Sequence, residues 1–279
     1  MQLSIPIKRV FFLAFLALSC AQANVILWDL GETLITTNTL SIAYEIGIKD
    51  FIGYMLVDLQ NPFVIEEKVF CVLHAIPALY NVPYTAHART NKGRIIPPIM
   101  RAWFAGYVTA EEIYALAVPM CETLPASYFT CEREKRLVLN TIKTMFNPHV
   151  LAASNKPITE AVELLKECAA QGHTLMIVSN LDPETYKALR ALPEMQKMFS
   201  YFKPENIIIS GDYHNVKPEK SFFEAIIKKH KLDPSTCILI DDRQENIQTA
   251  RECSMKAFQL TNKNYKALRR RLRLMKVIT

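Results

Sequence analysis

Two kinds of patterning alternate along this chain. Short, unbroken apolar runs at residues 25–28, 175–178, 207–209 and 238–240 carry no polar alternation. They are too brief for helices and read as strands buried on both faces; residues 256–260 read as a last short strand. Between them the apolar spacing turns helical. Pro157 opens an expected amphipathic helix with Ala161, Leu164, Leu165 and Cys168 on one face, closed by Gly172. Residues 222–229 and 246–252 read as two more helices. From about Thr36 to His149 the pattern is helical throughout and punctuated by prolines, which end one helix and often start the next. Thr109 followed three residues later by Glu112 has capping-box spacing.

Strands separated by helices predict a parallel sheet. The expected fold is therefore α/β: a Rossmann-like parallel sheet with helices on both faces, and an all-helical cap inserted after the first strand. The expected boundaries are 24–35 and 155–262 for the core, 36–154 for the cap and 263–279 for a basic C-terminal helix.

In such sheets ligands gather beyond the carboxyl ends of the strands, and this sequence puts its polar residues there. Asp29, Ser179-Asn180, Ser210-Gly211-Asp212 and Asp241-Asp242 each follow an apolar run, and Lys217 lies between the third and fourth. Taken singly, Ser179, Asn180 and Asp212 are also ordinary turn formers, and Lys217 before Pro218 suits a surface lysine ahead of a helix. Asp29 differs, because an acid ending a wholly apolar strand is costly to bury without a partner.

Four such segments in order resemble the haloacid dehalogenase superfamily: Asp29-Leu-Gly-Glu-Thr33, Ser179 in Val178-Ser-Asn180, Lys217 in Val216-Lys-Pro-Glu219, and Asp241-Asp242 followed by Asn246. The resemblance implies a covalent nucleophile at Asp29 and a magnesium ion held by Asp29, the Gly31 carbonyl and Asp242, with Asp241 and Asn246 behind them. It also implies that Lys217 offsets phosphoryl charge, while the Ser179 hydroxyl and Asn180 amide bond phosphoryl oxygens. The superfamily's phosphatases usually carry a second aspartate where this chain has Gly31, so the leaving-group acid is missing. Glu32 is the neighbouring carboxylate that could take its place. Some bacterial sugar-phosphate phosphatases of the superfamily share the Asp-Leu-Gly opening, and residues 104–112 resemble their cap. The implied activity is magnesium-dependent hydrolysis of a small phosphorylated metabolite. A metal-independent dehalogenase and a weak or silent binding protein are the alternatives.

Charge and cysteines add little to this. The net charge of +6 is concentrated at the ends: Lys8 and Arg9, and a final stretch from Lys263 to Lys276 without an acid. A solvated terminal helix accounts for the latter. No arginine–aromatic interleaving marks a nucleic-acid groove, so no nucleic-acid partner is expected. Lys8 and Arg9, the apolar run 10–18 and Ala21-Gln22-Ala23 form a secretory signal with expected cleavage after Ala23. A periplasmic or secreted protein is thus expected, touching a membrane only through that segment if it is retained. Of the cysteines left after cleavage, Cys168 and Cys237 read as core residues. Cys121 and Cys131 are the pair best placed to bridge in an oxidising compartment. In the cap, His74, His87, Arg89, Lys92 and Arg94 read as solvated, with phosphate or sugar ligands in the cleft as the alternative, and Trp103 and Phe104 read as core rather than a stacking platform. The sequence leaves the oligomeric state open.

Overall fold

Alternate residues of each core strand point to opposite faces of one parallel sheet, and each face is covered by its own apolar cluster. The computed structural model describes residues 23–76 and 93–279. In chain order the described strands are β1 (Val25–Trp28), β2 (Ile35–Thr37), β3 (Asn155–Pro157), β4 (Thr174–Ser179), β5 (Ile207–Ile209), β6 (Cys237–Asp241) and β7 (Lys256–Gln259). The sheet order is β5–β4–β1–β6–β7, so the first strand is central. Ile26, Trp28, Leu175, Ile177, Ile238 and Ile240 meet one face cluster, and Leu27, Met176, Val178, Ile208 and Leu239 the other. This two-sided burial is why the strands are apolar at every position.

The expected α/β class with helices around a parallel sheet is what the chain adopts. Helices α1 (Thr39–Ile46), α2 (Ile48–Leu56), α3 (Phe63–Ala75), α4 (Pro98–Phe104), α5 (Ala110–Thr123), α6 (Glu132–Met145) and α7 (Pro148–Ala153) follow β2. They share an apolar cluster of their own, built on Tyr54, Leu73, Trp103, Ile113, Leu137 and Ile142. The Thr109–Glu112 capping box opens α5 as its spacing predicts. Glu134 is fully buried within the cap, where Lys68 Nζ (2.5 Å), Tyr54 and the Thr130 N–H (2.7 Å) satisfy its carboxylate. Helices α8 (Thr159–Ala170), α9 (Pro183–Ala191), α10 (Pro193–Phe199), α11 (Lys220–His230), α12 (Gln244–Glu252) and α13 (Tyr265–Leu274) belong to the sheet unit.

Several expectations need correcting. Pro157 does not open a helix; it pairs with Ile35 in the antiparallel β2–β3 ribbon, through which the chain enters and leaves the cap, and α8 starts at Thr159. Cys121 and Cys131 are not bridged: the six described cysteines are free, and the Cys131 thiol donates instead to Asp58 at 3.4 Å. The C-terminal helix is more than a solvated tail. Tyr265, Leu268 and Leu272 are buried, the Tyr265 hydroxyl donates to Thr33 O at 2.6 Å, and Arg269 pairs with Glu167 at 2.8 Å. The signal segment up to residue 22 and His87, Arg89 and Lys92 lie outside the described residues. Arg94 pairs with Glu67 at 3.5 Å, and His74 lies 3.2 Å from Ile95 O.

Beyond the ribbon, the cap is fastened to the sheet unit at a second place. The Ser210 hydroxyl donates to Phe104 O (2.5 Å), and His214 Nδ1 lies 3.0 Å from Ala105 O. Arg101 of α4 donates to Glu219 at 2.9 Å, with both side chains buried. Gly106 sits between these contacts at φ +71°, and a Cβ there would lie 2.6 Å from Gly211 O.

Candidate active site

Because β1 lies between β4 and β6 in a parallel sheet, their carboxyl ends deliver Ser179, Asp29 and Asp241 side by side. Asp29 follows Trp28, which is level with Ile177 and Ile240, and the Asp29 N–H donates to Ile240 O at 2.9 Å. Lys217 arrives from the segment ahead of α11 and is buried. Its ammonium has three partners, one for each proton: Asp29 Oδ1 at 2.6 Å, Asp241 Oδ2 at 2.7 Å and Val178 O at 2.8 Å. Asn180 sets the lysine's backbone, since its side-chain amide donates to Lys217 O and accepts from Lys217 N, both at 2.8 Å. That side chain positions the lysine, a role its place in the sequence did not suggest.

Asp241 is fully buried and saturated. Besides Lys217 it accepts from the Arg243 N–H and from Asn246 Nδ2, each at 2.9 Å. Asp242 is half-buried, and one carboxylate oxygen from each of Asp29, Asp241 and Asp242 falls within 4.8 Å of the others. Ser179 is buried at the end of β4, and its hydroxyl has no hydrogen-bond partner among the described residues.

The charges shape one another. Burial pushes the Asp29 carboxyl up to about 7; Lys217 opposes the shift, and Asp241 and Asp242 add to it. Burial works against the Lys217 charge too, but Asp241 and Asp29 more than offset it and hold the ammonium above the ordinary lysine value. Three acids thus face a single buried cation. A hard divalent cation suits this donor set, since magnesium takes carboxylate and carbonyl oxygens. With both Asp241 oxygens engaged, Asp29 and Asp242 are the carboxylates able to hold it.

Two residues of the first loop stand differently. At Gly31 the backbone is not left-handed, and a Cβ would have no atom within 4 Å. Glu32 has a φ of 54°, and its half-exposed carboxylate is held by Lys263 at 2.7 Å and takes no part in the Lys217 network. Arg101 and Glu219, two residues beyond Lys217, were not singled out from the sequence. They lie 118 positions apart, and only the docking of the cap brings them together.

The family model for haloacid dehalogenase-like hydrolases matches residues 95–260, more than half of the chain, and the chain belongs to that family. It is a hydrolase of the haloacid dehalogenase type. A family enzyme from Bacteroides thetaiotaomicron is 18% identical, with a TM-score of 0.52 over 85% of this chain and 93% of that one; it has also been solved with magnesium and inorganic phosphate. A family hydrolase from Porphyromonas gingivalis is 19% identical, with a TM-score of 0.52 over 91% of this chain and 99% of that one. At these identities the likeness is one of fold. A sesquiterpene phosphatase of Aspergillus oryzae is 26% identical over 107 residues, 38% of this chain and 52% of the relative. The chain thus spans about half the length of that curated relative.

Proposed function

We propose that this hydrolase is a magnesium-dependent phosphatase acting on a small phosphorylated metabolite through an aspartyl-phosphate on Asp29. The observation that carries the reading is Lys217 Nζ, bonded at once to Asp29 (2.6 Å) and Asp241 (2.7 Å) beside Asp242. Lys217 holds the Asp29 carboxylate at the end of the central strand, and its other bonds leave it little freedom to move. The other Asp29 oxygen would attack phosphorus, the ester P–O bond would break, and the leaving group would depart as an oxyanion. Water would then attack the phosphoryl group, releasing phosphate and restoring Asp29. On this reading the Ser179 hydroxyl would donate to a phosphoryl oxygen, as would the Asn180 backbone N–H, its side chain being used on the Lys217 backbone. Magnesium, held by Asp29, Asp242 and the Gly31 carbonyl, would supply the positive charge that one lysine cannot.

The phosphatase reading is favoured over a metal-independent dehalogenase by the excess of acids, which such an enzyme does not need. The magnesium-and-phosphate complex of the Bacteroides enzyme and the phosphatase activity named for the Aspergillus relative support it. The test is turnover of p-nitrophenyl phosphate. It should require magnesium and vanish in Asp29→Asn and Asp242→Ala while both variants remain folded. Full activity of Asp242→Ala in chelator would overturn the metal-dependent reading.

A further inference from the structure

A parallel sheet gathers the amino ends of its strands on one pole, opposite Asp29 and Lys217. That pole is basic in this chain. Lys203 precedes β5, Lys228 and Lys231 lie at the end of α11, Lys256 opens β7, and Arg273 and Lys276 lie at the end of α13. All six are exposed; Arg273 donates to Thr279 O at 2.9 Å, and the other five form no ion pair among the described residues. Against them the same segments carry Glu205, Asp233 and Glu252. Cations in the last turn of a helix complement its dipole, which accounts for Lys228 and Arg273. It does not account for Lys203 ahead of a strand or Lys256 at the start of one.

A second observation falls at the same pole. The Asn24 N–H donates to His173 Nδ1 at 3.1 Å, and His173 Nε2 lies 2.5 Å from Val277 O. The start of β1, the turn before β4 and the C-terminal segment therefore form one cluster. The apolar run 10–18, with Lys8 and Arg9 ahead of it, precedes Asn24 by only a few residues. The covalent route from that run into the fold therefore enters through the basic pole.

We propose that this pole is a docking face for an anionic lipid bilayer. Lysines and arginines near such a surface are attracted by its negative potential. Until cleavage after Ala23, the apolar run 10–18 would keep this pole beside lipid, which favours a bilayer over nucleic acid as its partner. Docked this way, the cap and the strand ends bearing Asp29 face away from the bilayer and stay open to soluble substrate.

The test uses the chain beginning at Asn24, which contains every described element of the fold. It is sedimented with vesicles of phosphatidylcholine alone or of phosphatidylcholine with phosphatidylglycerol. The expected result is binding to the anionic vesicles only, lost in high salt. Binding should weaken roughly tenfold or more in Lys203→Glu/Lys256→Glu/Lys276→Glu, with hydrolysis of soluble p-nitrophenyl phosphate unchanged as proof of folding. No sedimentation with anionic vesicles, or equal binding by the triple variant, would overturn the proposal. Equal or tighter binding to a DNA duplex would overturn it too, by assigning the pole to nucleic acid.

Discussion

Replacing Gly31 with aspartate should add a leaving-group proton donor two residues from Asp29, on the function proposed above. The structure makes the substitution clean. The backbone at residue 31 is not left-handed, and a Cβ there meets nothing within 4 Å, so neither strain nor overlap opposes it. The new carboxyl would sit two residues from Asp29, beside acids that already outnumber Lys217. Repulsion from them raises its pKa and keeps it protonated, as a general acid must be. Such a donor is typically worth about 10²–10⁴ in rate, or roughly 3–5 kcal/mol of barrier. The gain should appear only where the leaving group is poor. The assay is log(kcat/KM) against leaving-group pKa for substituted phenyl and alkyl phosphates. Wild type should give a steep line. Gly31→Asp should flatten it, with alkyl esters gaining about a hundredfold or more and p-nitrophenyl phosphate almost nothing. Glu32→Gln should leave the wild-type slope unchanged, because Lys263 holds that carboxylate outside the network. A folded, magnesium-binding Gly31→Asp enzyme with no gain on alkyl esters would refute the reasoning, as would a wild-type line that is already flat with chemistry rate-limiting.

Lys217→Met should abolish turnover and lower stability by about 3–5 kcal/mol in metal-free buffer at neutral pH, since it strands two buried acids; chemical denaturation measures this, and a loss below 1 kcal/mol would count against it. Asp29 has a folded pKa of about 7 against 3.8 for the free side chain, so in metal-free protein its stabilising protonation is complete below about pH 4 and is lost as pH rises through about 7. Metal-free wild type should therefore lose a few kcal/mol relative to Asp29→Asn between pH 5 and pH 8, and a pH-independent gap in thermal unfolding would contradict the assignment. Gly106→Ala should cost about 1–2 kcal/mol from its positive φ alone, plus the overlap with Gly211. Unchanged Tm and KM in that variant would show that the cap docks elsewhere in solution.

The sheet was legible because strands buried on both faces must be apolar throughout, so Asp29, Ser179 and Asp241 stand out where each run stops. The β2–β3 ribbon was not legible. Its strands of three residues are too short to show a period, and Pro157 imitates a helix start. The partners of the loop residues were equally hidden. Glu32 is adjacent to Gly31 in sequence, but its orientation depends on Lys263, which only the last strand and its following turn bring near. Asn180 could be recognised as a strand-end polar residue, yet its work on the Lys217 backbone depends on how a distant segment crosses that strand end.

The meeting of Gly106 with Gly211 limits how the cap can move against the sheet unit. A helical unit held by a single ribbon would swing freely. Here main chain rests on main chain at the far side, and the neighbouring clasp is the buried pair Arg101–Glu219. Separation there would wet two charges together, so the contact acts as a catch rather than a hinge. Glu219 lies two residues from Lys217. Releasing the catch would therefore pull on the segment that carries Lys217, the cation bonded to Asp29 and Asp241.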